Sequence, residues 1–128
     1  MKTIVKNWLE FAADDLIAAQ RLHGEERLTK ISCFHSQQCV EKSMKALLEF
    51  KSIAPPKSHD LIRLNGMIGE QLNIDEDMLA KLNEVYIDLR YPPDIGLLPH
   101  GAPSLEDAAT FYKFACDINQ KVKSIIGD

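Results

Sequence analysis

Between Cys33 and Lys51 the sequence reads CFHSQQCVEKSMKALLEFK. Wound at 100° per residue, this stretch has two faces. Cys33, Ser36, Gln37, Val40, Met44, Leu47 and Leu48 share one of them, a stripe suited to a core. Roughly opposite run His35, Gln38, Lys42, Lys45 and Glu49, at three- and four-residue steps. The pattern predicts an amphipathic helix from about Leu28 to Lys51. Pro55-Pro56 is expected to stop it, since proline supplies no N–H and disfavours helical geometry in the residue before it.

The same periodicity extends in both directions. Upstream, Val5, Trp8, Leu9, Ala12, Leu16, Ala19 and Leu22 predict a helix from Thr3 to Leu22, with Gly24 placed for a left-handed residue past its end. Downstream, Ser58 is the expected cap of a third helix bearing Leu61, Leu64, Ile68 and Leu72, with Asp60 in its first turn. Gly66 and Gly69 each cost it about 1 kcal/mol relative to alanine, so it should be short. Asp75 caps a fourth helix carrying Met78, Leu79, Leu82, Val85, Tyr86 and Leu89 up to Pro92-Pro93. Residues 91–103 are rich in proline and glycine and read as a loop. Ser104 and Asp107 then form a capping-box pattern ahead of a fifth helix ending near Ile126. No segment reads as a strand. The expectation is an all-α, up-and-down bundle of four to five helices, folded as a single domain over residues 1–128.

With 128 residues, 45% hydrophobic and 27% charged, the chain is an ordinary globular one, not a disordered or collagen-like one. Its apolar runs are far shorter than the ~20 residues needed to cross a bilayer. Glu10, Asp14 and Asp15 interrupt any signal-peptide pattern, so a soluble cytoplasmic protein without a membrane partner is expected. Cys33, Cys39 and Cys116 form no Cys-x-x-Cys pair, which argues against disulfides or a structural metal and for reduced thiols.

A net charge of −4 speaks against a general nucleic-acid coat. The charge is unevenly spread. Lys42, Lys45, Lys51, Lys57 and Arg63 face only Glu49 and Asp60, whereas Glu70, Asp75, Glu76, Asp77, Glu84, Asp88 and Asp94 face only Lys81 and Arg90. The row His35, Gln38, Lys42 and Lys45 could hold a phosphate or a nucleotide base, the ammonium groups as point charges and the other two as directional donors. A solvated helix face with a Lys45–Glu49 pair would look the same. Glu41, at the margin of the apolar stripe, needs a partner, for which Arg90 is a candidate.

The fifth helix is apolar over an unusually wide arc. Leu105, Ala108, Ala109, Tyr112, Ala115, Cys116, Val122 and Ile126 form one stripe, and Phe111, Phe114, Ile118 and Ile125 form another beside it. The second stripe is expected to meet another copy of the chain in a twofold homodimer, the alternative being a central position for this helix.

WLEFAADDLIAAQRL, CFHSQQCVEKSMKALLEFK, PPKSHDL, RYPP and SLEDAATFYKFACDI, in that order, resemble the HEPN domain family over nearly the whole chain. The resemblance implies a helical bundle, usually dimeric, often found with a minimal nucleotidyltransferase. It also implies nucleotide binding, or ribonuclease action in toxin–antitoxin and defence systems, without a cofactor or metal. The family's ribonucleases carry an arginine followed after four to six residues by a histidine, the first to stabilise phosphorane charge and the second to move a proton. Arg90 matches the arginine, but Ile95, Gly96 and Leu97 occupy the histidine positions and His100 falls beyond them. The expected function is therefore an accessory protein that binds nucleotide or nucleic-acid phosphate through His35, Gln38, Lys42, Lys45, Arg90 and Tyr91. The alternatives are a ribonuclease using Arg90 and His100, or a purely structural dimeric module. His59, within the family's His-Asp-Leu signature, is read as ordering its turn, and Trp8 as core.

Overall fold

The computed structural model describes residues 1–90 and 102–127, apart from the side chains of residues 88–90. It contains five helices: α1 (Thr3–Arg21), α2 (Thr29–Phe50), α3 (Leu61–Ile68), α4 (Glu76–Arg90) and α5 (Leu105–Ile126), with a short 3-10 turn at Glu26–Leu28. There is no strand among the described residues. Arg90 therefore lies on the last turn of α4 with its side chain outside the description, and Tyr91, His100 and most of the 91–103 loop lie outside the described residues.

α2 is the axis of the molecule. It packs against α1, α3, α4 and α5 and buries Cys33, Val40, Met44, Leu47 and Leu48 completely. From α1 come Val5, Leu9 and Ala12; from α3, Leu61 and Leu64; from α4, Leu79 and Leu82. The predicted apolar stripes of these four helices thus supply most of the described core.

The local signals acted largely as expected. Gly24 takes φ +84° in the turn after α1. At α5, Ser104 Oγ accepts from Asp107 N at 3.0 Å while Asp107 Oδ2 accepts from Ser104 N at 3.1 Å, the reciprocal capping box. Asp75 Oδ1 accepts from Asp77 N at 2.9 Å at the start of α4.

α2 ends within a residue of the expected Lys51, but its stop signal and the cap of α3 differ. α2 ends at Phe50, several residues before the prolines, where Ile53 N reaches back to Leu48 O at 2.8 Å and Ser52 turns left-handed at φ 61°. α3 is capped by Asp60 rather than Ser58. Its carboxylate accepts from Ile62 N and Arg63 N, and also from Asn83 Nδ2 at 3.0 Å, which ties the start of α3 to α4. Ser58 instead holds Asp60 N at 3.1 Å.

The α5 face expected to pair two copies of the chain is corrected by the packing at two of its four residues. Phe111 and Ile118 are 8% and 2% exposed and belong to this chain's own core. Phe114 and Ile125 pack partly against it. The buried line of α5 runs Ala108, Phe111, Ala115, Ile118, Val122 and Ile126, whereas Leu105 and Ala109 are exposed. The centre of the wide apolar arc is turned toward α2, so Phe111 and Ile118 could join a pairing face only if the core opened, whereas Phe114 and Ile125 remain partly accessible.

Candidate functional site

α2 carries polar groups into this packing, and two carboxylates organise them. The first is Asp15 of α1, which replaces an apolar residue in the helix's inward register and is only 7% exposed. Its Oδ1 lies 2.9 Å from His35 Nδ1 and its Oδ2 2.7 Å from Lys42 Nζ. The second is Glu41 of α2 itself, 3% exposed. It accepts from Lys45 Nζ at 3.1 Å, from Gln37 Nε2 at 3.2 Å and meets His59 Nδ1 at 2.9 Å. Gln38 Nε2 donates to Gln37 Oε1 at 2.7 Å, extending the network toward the surface.

Each carboxylate thus stands between one lysine and one histidine. Paired with an ammonium group, each acts only as an acceptor, so each imidazole must present Nδ1–H to it. That fixes the ring orientation, as a carboxylate does for a working histidine.

The aromatic groups complete the arrangement. His59 stacks on Tyr86 of α4 at 4.4 Å between centroids and 24° between planes. Tyr86 stacks in turn near Phe34, at 6.2 Å and 20°, and Phe34 meets the His35 ring edge-on at 5.7 Å. On the α1 side, Lys45 Nζ sits 5.5 Å from the Trp8 ring and Lys42 Nζ 5.9 Å from Phe11. Such contacts partly replace the hydration an ammonium loses on burial. The indole Nε1 of Trp8 is itself buried without a partner among the described residues.

The structure brings His35, Gln38 and Lys42 of the predicted row to the half-buried side of α2. It does not leave Lys45 there. Lys45 is 6% exposed, turned toward Trp8, and pairs backward with Glu41 rather than forward with Glu49. Among the described residues Glu41 finds its partners in Gln37, Lys45 and His59, while the Arg90 side chain proposed as its partner lies outside them. Sequence reasoning missed Asp15, although a carboxylate between Ala12 and Ala19 in an apolar stripe signals a buried cation partner. His59 has the expected hydrogen bond ordering the turn between α2 and α3, and its partner is the buried Glu41 of α2.

The thiols stand apart. Burial, with Asp107 nearby, pushes the Cys33 pKa up to about 12. Burial likewise raises Cys39 to about 12, assisted by Asp15 and Cys116 against the opposing Ser43 hydrogen bond and Lys42. Neither is a nucleophile at neutral pH. Among the described residues no group of three or more His, Cys, Asp and Glu side chains is placed to hold a metal ion. None of the described helices is long and apolar enough to cross a membrane.

A charged central helix clasped by four others, with paired carboxylates serving two imidazoles, defines a polar helical bundle of the kind inferred from the motif series. The family model for the HEPN domain matches residues 5–125, and the chain belongs to that family. Among solved structures it is similar to an archaeal HEPN homologue, ST0689, at 30% identity and TM-score 0.69, covering 98% of this chain and 99% of that one. It is also similar to TT1696 from Thermus thermophilus, at 25% identity and TM-score 0.77, covering 96% of this chain and 98% of that one. No curated protein matches it significantly.

Proposed function

We propose that the chain is an accessory protein that binds a nucleotide or a nucleic-acid phosphate at the α1–α2–α4 face and acts in the cytoplasm with a minimal nucleotidyltransferase. The supporting observation is the doubly served Asp15: one buried carboxylate holds both Lys42 and His35, whose side chains are 24% and 29% exposed. Arg90, on the last turn of α4, and Tyr91 after it are the remaining members of the proposed site. The absence of histidine four to six residues after Arg90 supports binding over hydrolysis.

The test is titration of the purified protein with ATP, GTP and a short RNA, beside Lys42→Ala and Arg90→Ala. Binding that weakens at least about tenfold in either variant supports the reading. No binding to any of the three, or binding indifferent to both substitutions, refutes it. A minimal nucleotidyltransferase encoded beside the gene, and co-purifying with this protein, is the corresponding expectation for the partner.

A further inference from the structure

The ring of His59 is the outer end of the aromatic stack, and its surroundings determine what it can still contact. One face is covered by Tyr86 at 4.4 Å. The Nδ1 edge is taken by Glu41 at 2.9 Å. The side chain nevertheless remains 50% exposed, so the solvent-facing surface is the opposite ring face together with the Nε2 edge. Glu41 is itself fixed by Lys45 and Gln37, which makes the imidazole a rigid, oriented plate rather than a mobile surface side chain. A histidine that only ordered its turn would need the hydrogen bond and would not need an open face at the end of a stack.

The charge around it is also distinctive. Lys42 and Lys45 are neutralised by Asp15 and Glu41, and Lys51 is engaged by Ile68 O at 2.9 Å and Gln71 Oε1 at 3.1 Å. In the basic segment the cations without a side-chain partner among the described residues are Lys57 and Arg63, both exposed and flanking His59 in the chain. A flat open ring, with two exposed cations near it in the chain, suits a ligand with a planar heterocycle at one end and an anion at the other.

We propose that the open face of His59 is the seat of a nucleobase, which extends the His59–Tyr86–Phe34 stack by one ring. This deepens the nucleotide-binding reading and rests on it: it states which end of the nucleotide is recognised by stacking and moves that end from the α1 side of α2 to the α3–α4 side. The recognition is tolerant of base identity, because every base has a π-face.

The experiment compares AMP, ribose 5-phosphate and adenosine as probes, by calorimetry and by the shifts of the His59 ring protons, in the wild-type protein and in His59→Ala. The variant is expected to fold, since the ring is half exposed and Glu41 keeps Lys45 and Gln37. On the wild type, AMP should bind about 5- to 150-fold tighter than ribose 5-phosphate, the range that base–aromatic stacking supplies. In His59→Ala that ratio should collapse toward one, and adenosine alone should move the His59 ring protons upfield in the wild type. Equal binding of AMP and ribose 5-phosphate, or a ratio that survives in His59→Ala, overturns the seat while leaving phosphate binding intact. Adenosine shifting His59 while neither phosphate compound binds more tightly than adenosine upholds the seat and overturns the phosphate reading. No response to any probe overturns both.

Discussion

Replacing Glu41 by glutamine tests the central charge cluster with almost no change of shape. The glutamate and Lys45 side chains are 5% and 8% exposed, so neither can reach water without moving a helix. The substitution removes the negative charge and points an amide NH2 at groups that are already donors: the Lys45 ammonium, the His59 Nδ1–H or the Gln37 amide. An ammonium left buried without its carboxylate costs about 3–5 kcal/mol. The Trp8 ring 5.5 Å from Lys45 Nζ recovers only about 1–2 kcal/mol of ammonium stabilisation, and it is present in both proteins, so it does not offset the loss. With a urea m-value of about 2 kcal/mol/M for a domain of this size, the unfolding midpoint should fall by about 1.5–2.5 M at pH 7. The control is Glu41→Leu combined with Lys45→Met, which removes both charges and should regain most of the loss, because well-packed apolar replacements of buried ion pairs are often neutral or better. A Glu41→Gln midpoint within about 0.3 M of the wild type would refute the argument that Glu41 and Lys45 depend on each other in the core.

Three further outcomes are expected. Asp15→Asn should cost about 1–3 kcal/mol, less than Glu41→Gln, because Lys42 can swing its 24%-exposed side chain into solvent; urea unfolding of both variants side by side checks the order. Stability should fall above pH 9, since Cys33 and Cys39 have pKa values raised from 9.0 to about 12 and remain protonated in the fold while the unfolded chain releases both protons. The loss is about 1.4 kcal/mol per pH unit per thiol between those limits, and denaturant midpoints from about pH 8 to 10.5 should decline less steeply in a Cys33→Ala, Cys39→Ala variant. Phe111→Ala should destabilise by about 3–5 kcal/mol as a core truncation; a change below about 1 kcal/mol in thermal or urea unfolding would return that ring to the surface.

The helices were legible because their apolar periodicity and their caps are local properties. Ser104 and Asp107, three residues apart, carry the start of α5 between them, and Asp75 carries that of α4. The cap that sequence misplaced depends on a distant group. Asp60 rather than Ser58 begins α3 because Asn83, 23 positions on, donates to its carboxylate and accepts from Leu61 N. The wide arc on α5 could not be oriented from its own residues, since only the position of α2 decides which part of it faces inward. The site was half legible for the same reason. His35, Gln38 and Lys42 announce themselves by spacing on one helix, but Asp15 arrives from α1, His59 from the turn before α3 and Tyr86 from α4, and no periodicity connects them.

The single tryptophan has a practical consequence. Its indole lies against the Lys45 ammonium, which binds the same carboxylate that anchors His59. Trp8 emission is therefore an intrinsic gauge of the cluster's electrostatics. An occupant that disturbs the imidazole should be visible optically, with no label attached.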